Sequence, residues 1–383
     1  MLFYELDFLV WGYHNKWTYY EHHPEISIQL TSLVILAAIA TNIVFGAPTT
    51  SVSDSDCDLI TQLIDTRYPL TDPIVLPDGS VKYRIALISD LDKNSVSPDE
   101  PFTWISYFKK GYLTYSPANK KISIEWDNST SKGDQLKSHF SENGRGSELS
   151  ELVTYDANLI TLDDKTGLVY LIQNNVLIPW VTVSAGNGPT TKGMKNEWAT
   201  VKDSKLYVGS HGNELVSANG QEVDRSLMWV KTIDKSGSVH HLDWTENYVK
   251  VRAAMNIHFP GYMTHEAVVW SDVHCRWLFL PRKASAEPYD QLTDGQKGTN
   301  VLLSVSPDFD DVKVICIGEL MPNHGYSSFK FIPGTKNTVI TAISTQEEGG
   351  VTATFIKAFT VNGEILFPET KVSDLKYEGF EFI

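Results

Sequence analysis

The stretch FKFIPGTKNTVITAISTQEEGGVTATFIKAFTVNGE, residues 329–364, decides the fold class. Three runs rich in Val, Ile, Phe and Thr, at 329–334, 338–345 and 352–360, are separated by the turn-forming strings PGTKN and QEEGG, and VNGE closes the last. Branched and aromatic residues between Gly, Asn and Pro clusters are the mark of short strands joined by tight turns. The same texture recurs upstream, in YRIALISD (83–90), KKISIEW (120–126), NLITLDD (158–164), LVYLIQ (168–173), WVTVS (180–184) and KLYVGS (205–210). It continues through HEAVVWSD (265–272), RWLFLPR (276–282), NVLLSVS (300–306) and VKVICIGEL (312–320). Outside the N-terminus, 243–257 is the best helical candidate. The chain is therefore read as all-β. Units of roughly 40–60 residues, each worth about four strands, point to a propeller. Residues 81–383 leave room for five such blades, and neither a WD nor a kelch signature repeats.

Composition narrows the function classes. With 42% hydrophobic and 21% charged residues the chain can build a large core, which excludes a disordered chain. A net charge of −15 argues against a nucleic-acid partner and suits cation binding. Three cysteines, Cys57, Cys275 and Cys316, form no metal-binding pattern and are expected as buried free thiols. The N-terminus stands apart. Residues 1–25 form a flank, and 26–47 is an uncharged apolar run long enough to cross a bilayer. That run is expected to act as a signal-anchor or a signal peptide, with Val44 and Gly46 suited to cleavage before Ala47. Either form places the protein in the secretory pathway, secreted or lumenal, with membrane contact only through this segment. Residues 48–80 read as a linker, and Asn128 in NST offers one glycosylation acceptor.

Several familiar motifs fail on spacing. HEAVV (265–269) has Val269 where a zinc-protease helix needs its second His, and SDSDCD (53–58) is followed by Leu59 where an EF-hand loop needs Gly. GNGPTTKG (186–193) lacks the phosphate-loop order. More telling is the last strand, LKYEGFEFI (375–383). Strict alternation puts Glu378 on the side of Phe380 and Phe382, where a carboxylate needs a cation or a basic partner. Other acids gather in ISDLD (Asp90, Asp92), GRGSELSEL (Arg145, Glu148, Ser150, Glu151), LDDKTG (Asp163, Asp164, Lys165), KNEW (Glu197) and THEAV (Glu266).

These strings, with FKKGYLT, EWATVKDSKLYVG, RWLFLPRKAS, HGYSSFKFIP and FPETK, occur in one order over residues 83–383. In that order they resemble the calcium-activated nucleotidase (apyrase) family, which includes a vertebrate Golgi enzyme and secreted apyrases of blood-feeding arthropods. The resemblance implies a five-bladed propeller, one Ca²⁺ near its axis, and hydrolysis of nucleoside di- and triphosphates. Matched motif by motif, it implies Ser150, Glu151, Glu197, Glu266, Ser327 and Glu378 as metal ligands. Glu151 departs from the Asp of close relatives. Successive positions lie about one blade apart, so each blade would lend an oxygen to an ion that prefers about six to eight.

An anionic metal site needs cations for a phosphate chain: Arg145, Lys165, Arg282 and Lys330 in the matching strings, with the acidic Glu148 in the same string as Arg145, are the substrate-binding candidates. Asp90, Asp92, Asp163 and Asp164 are the candidates for orienting the attacking water, although DDKTG is also an ordinary turn. Trp104 and Tyr262 could stack a base, but core packing accounts for each more simply. The sequence leaves a homodimer open. The competing reading is a calcium-stabilised propeller that binds without catalysis.

Overall fold

The computed structural model describes residues 68–127, 131–217 and 223–383. The expected segments 1–25 and 26–47, most of 48–80, Cys57 and the Asn128 acceptor lie outside the described residues. Among the described residues no helix is long and apolar enough to cross a membrane.

Five sheets follow one another along the chain. The first contains β1 (Ile74–Val75), β2 (Val81–Ser89), β3 (Trp104–Ser116), β4 (Lys121–Trp126) and β5 (Asp134–Ser138). The second is the meander β6 (Leu149–Tyr155), β7 (Asn158–Asp163), β8 (Leu168–Gln173) and β9 (Val176–Thr182). The third takes β10 (Trp198–Lys202) and β11 (Lys205–Gly209), then, past a small hairpin of β12 (Leu215–Val216) and β13 (Val223–Asp224), β14 (Trp229–Ile233) and β15 (Val239–Asp243). Helix α1 (Thr245–Ala253), expected from the sequence, leads into the fourth: β16 (Tyr262–Ser271), β17 (Arg276–Ser285), β18 (Val301–Val305) and β19 (Val312–Cys316). The fifth is β20 (His324–Phe331), β21 (Val339–Glu348), β22 (Val351–Thr360) and β23 (Ile365–Ser373). The last strand, β24 (Tyr377–Phe382), returns to pair antiparallel with β2.

This is a five-bladed propeller. β24, β6, β10, β16 and β20 are the first strands of their blades and touch one another in a ring, with β24 as the clasp. Five apolar clusters hold the ring, each filled from two adjacent blades; one joins Tyr83, Ile85 and Leu113 of the first blade to Val339, Ile343 and Ile356 of the fifth. Tight hairpins keep the meanders regular. Asp156–Ala157, Asn174–Asn175 and Asp203–Ser204 all take positive φ, the geometry whose twist matches flanking strands.

Three expectations need correction. Cys275 is half-buried and disulfide-bonded, whereas Cys316 is free but exposed at the end of β19, so neither is a buried free thiol. Strands β3, β5, β6, β10, β14, β15 and β23, whose apolar runs are interrupted by charged and polar residues, and the two-residue strands β1, β12 and β13 lie outside the runs that the sequence marks. Finally, Glu378 does not share a side with Phe380 and Phe382. Pairing with β2 skips from Gly379 to Tyr377, so a bulge shifts the alternation. Tyr377, Phe380 and Phe382 enter one core cluster, and Glu378 turns elsewhere.

Candidate functional site

Bulges recur where the acids and serines stand. The ladder skips Ser150 in β6, Glu266 in β16, Ser327 in β20 and Glu378 in β24. An extra residue on one strand is released from pairing and its side chain re-aimed. Four of the five ring strands thus depart from regular pairing at a candidate ligand. Glu197, the fifth, directly precedes β10 and donates its N–H to the Gly209 carbonyl at 2.8 Å. All five are buried.

The carboxylates meet one another through bases. The His211 Nε2 lies 3.0 Å from Glu197 Oε1 and 3.0 Å from Glu266 Oε1. Lys195 bridges Glu197 and Asp164. Arg282 contacts Glu266, donates to Glu378 Oε1 at 3.1 Å and to Glu347 Oε2 at 2.9 Å. Lys376 reaches Asp90 at 2.7 Å, Asp92 at 2.8 Å and Glu347 at 3.0 Å. Arg145 binds Glu148 and lies 3.6 Å from Asp92. Eight carboxyls therefore face four permanent cations and one histidine, leaving an anionic cluster. It opens to solvent through half-exposed Asp92, Arg145, Lys195 and Glu347.

Electrostatics follow from that packing. Burial raises Glu378 and Asp164 well above the usual carboxylate range, despite Lys376 beside the first and Lys195 beside the second. Burial acts the same way on Glu197, but His211 and Lys195 outweigh it and hold that carboxyl well below its usual range. Burial opposes the charge on His211, yet Glu197 and Glu266 carry it up to about 9. Arg282 and Lys376 are likewise buried but are raised by the carboxylates around them, so both keep their charge.

Other expected residues fall outside this cluster. The Glu151 carboxylate turns between strands, accepting from Ser328 Oγ at 2.7 Å and the Leu152 N–H at 2.8 Å, with Lys330 Nζ at 3.1 Å. Its carbonyl accepts from Thr161 Oγ1. Glu151 Oε1 and Lys330 thus form a separate buried ion pair, which also faces the buried carboxyl of Glu381, while Glu151 Oε2 has no hydrogen-bond partner. Asp163 accepts the N–H groups of Ser147, Lys165 and Thr166, so it ties the GRG loop to the next turn as the turn reading anticipates. Lys165 is half-buried beside that turn. Trp104 donates its indole N–H to the Gly144 carbonyl, and Tyr262 donates to Asp294; both are buried, and neither offers a free face.

Sequence reasoning missed Lys195, His211, Glu347 and Lys376. A signal existed for two of them: Lys195-Asn196-Glu197 and Lys376-Tyr377-Glu378 share the order Lys-x-Glu. In both pairs the base meets its acid, Lys376 at 3.7 Å from Glu378, on the segments that lead into β10 and β24. His211 reaches Glu197 across the β10–β11 hairpin of its own blade and Glu266 on the next blade, whereas Glu347 joins through the ring; nothing in either residue's own string marks it.

With this geometry established, comparison with known proteins is informative. The family model described as Apyrase matches residues 91–383. The chain belongs to the Apyrase family. It is 47% identical over 324 residues to soluble calcium-activated nucleotidase 1 of Rattus norvegicus, covering 85% of this chain and 79% of the relative. It is 43% identical over 320 residues to an apyrase of Cimex lectularius, covering 83% of this chain and 87% of the relative. Apyrase apy-1 of Caenorhabditis elegans is 37% identical over 308 residues, covering 80% and 85%. The Apyrase match spans all five ring strands, and therefore every candidate ligand.

Proposed function

We propose that the chain is a calcium-dependent nucleotidase, hydrolysing nucleoside di- and triphosphates of the UDP, GDP, ADP and ATP class and releasing phosphate. The observation that carries this reading is the set of bulges at Ser150, Glu266, Ser327 and Glu378, joined by Glu197. These five would hold the ion. The donors are hard oxygens, as Ca²⁺ prefers. The hydroxyl of Ser327 is buried without a hydrogen-bond partner, as a ligand reserved for something else would be. Glu151 is the weaker member of the expected set, since its Oε1 already meets Lys330 and Ser328, while its Oε2 is buried without a hydrogen-bond partner. Bound there, Ca²⁺ would supply a Lewis acid for phosphate oxygens.

The chain's own groups do the rest. Arg145, Lys195, Arg282 and Lys376 would offset the charge of an incoming phosphate chain. Asp92 is half-exposed between Lys376 and Arg145, where it can orient a water. Burial and the neighbouring Asp90 raise its carboxyl, which favours a group able to take a proton. The segment 26–47 would deliver the domain to the secretory pathway, with 81–383 as the working domain.

The test measures phosphate release from UDP, GDP, ADP and ATP, with calcium and then with chelator. No calcium-dependent release from any of them would sink the proposal in favour of a binding propeller. Glu378→Ala should lose calcium affinity and turnover together; a normal calcium titration would remove Glu378 from the site.

A further inference from the structure

Gly325 is a glycine that its own backbone does not require. It is the second residue of β20, pairs in register with Thr345 of β21, and takes no left-handed φ. Strand geometry of that kind suits any L-residue. Space is what forbids a side chain. A Cβ at 325 would stand 2.5 Å from Arg282 Cγ, 3.3 Å from its Nε and 3.2 Å from its carbonyl oxygen. Cγ is the root of the guanidinium arm and not its flexible tip, so the whole arm would have to move.

Arg282 has little room for such a move. Its side chain is 6% exposed, and one guanidinium holds Glu266, Glu378 and Glu347. The cavity beside it, lined in part by Gly325, Gly298, Thr345 and Glu347, measures about 10 Å³, space for one water and not for a guanidinium.

The start of β20 is pinned as firmly as the arm it carries. His324 Nδ1 lies 2.5 Å from Glu369 Oε1 of β23, and its ring stacks on Phe355 of β22 at 4.1 Å. Glu369 also meets Lys357 at 3.2 Å and accepts from Ser344 Oγ at 3.3 Å. The His324 carbonyl lies against Gly298 of the fourth blade, where a Cβ would collide with it, and the Gly298 N–H donates to the Pro322 carbonyl at 2.7 Å. The strand is thus tied to three strands of its own blade and to a loop of the next, and cannot back away from Arg282.

We infer that Gly325 is a positioning residue for the site: its bare backbone is the seat of the Arg282 stem, and that seat sets the guanidinium on Glu266, Glu378 and Glu347. The inference rests on the nucleotidase reading only for what the guanidinium then does, which is to meet an incoming phosphate chain. The seat itself can be tested without nucleotide.

Two measurements on the full-length protein test it. The first compares phosphate release at saturating calcium in the wild type and in Gly325→Ala. Nucleotide KM should rise at least ~10-fold in the variant, since about 1 Å of misplacement can cost on the order of 10²-fold. A folding fault alone would lower the amount of active enzyme, hence apparent kcat, and leave KM where it is. The second is a urea-unfolding cycle of wild type, Gly325→Ala, Arg282→Ala and the double variant. Gly325→Ala should lower the urea midpoint in the wild-type background and have little further effect once Arg282 is alanine, because the atom it strikes is gone. Unchanged KM in Gly325→Ala, or an equal loss of midpoint in both backgrounds, would overturn the inference. A wild type that releases no phosphate while the urea cycle still shows this coupling would refute the nucleotidase reading and leave the seat standing.

Discussion

Replacing Lys330 with methionine separates a structural pair from a metal ligand. Lys330 and Glu151 lie 3.1 Å apart, with side chains 7% and 1% exposed. At that distance the attraction is about 5 kcal/mol for an effective dielectric constant near 20. Desolvating both charges costs a comparable amount, so the pair as a whole contributes little beyond an apolar pair of similar size. Breaking it is different, because Glu151 would remain buried with Ser328 Oγ and one N–H for company. Lys330→Met should therefore cost ~3–5 kcal/mol of unfolding free energy. Glu151→Leu combined with Lys330→Met should recover ~1–2 kcal/mol of that loss, since Glu151 is then no longer stranded, although the buried Glu381 still loses the Lys330 charge beside it. Urea unfolding of the two single variants and the double variant measures this cycle. Calcium titration of the double variant should stay within a few-fold of wild type, roughly 1 kcal/mol or less. If the double variant is as unstable as Lys330→Met alone, the stranded Glu151 is not what makes that variant unstable. If it folds but loses calcium more than about tenfold, roughly 1.4 kcal/mol, Glu151 is a ligand after all.

Three further outcomes follow from the packing. Gly379→Ala places a Cβ 2.6 Å from the Glu151 carbonyl carbon and the Leu152 nitrogen, both backbone; the clasp must shift, costing ~1–3 kcal/mol or more in urea unfolding. Asp163→Ala deprives three N–H groups of their acceptor, loosening the loop that carries Arg145 and Glu148. Nucleotide kcat/KM should fall ~10-fold or more, equivalent to ~1.4 kcal/mol, while calcium affinity holds. Lys231, buried with its ammonium on the Gly186 carbonyl and against His241, is lowered by burial to about 8. Its folded pKa is below the unfolded value of about 10.4, so between those limits the unfolded chain binds more protons and stability rises with pH. Urea midpoints of wild type against Lys231→Met should show that rise only in the wild type, and only between about pH 8 and 10.4.

Much of the architecture was legible because a strand announces itself locally. Branched and aromatic runs between turn residues predict β-structure wherever one face is buried, and the regular spacing of such runs predicts blades. Legibility failed where a strand is charged, as in β3 with Lys109 and Lys110 or β15 with two histidines, because neighbours from other blades override local preference. It failed again at Glu378. Strict alternation assigns its side chain to the aromatic core, and a single extra residue in the ladder moves it away.

The candidate site divides along the same line. From the sequence alone come the all-β class, the number of blades, the motifs that align the chain with its family, and oxygen donors spaced about a blade apart. All of these depend on residue type and order. Only the tertiary structure decides which donors meet. It brings Lys195, His211, Glu347 and Lys376 to the acids, and it withdraws Glu151 and Lys330 into a pair of their own. Lys195 and Lys376 each stand two residues from one acid of the cluster, but the other acids they meet, and those met by Glu347 and Lys330, come from distant parts of the chain, and those separations are set by ring closure and by where each ladder bulges. No local pattern encodes that distance, because it exists only once β24 has closed the ring on β2.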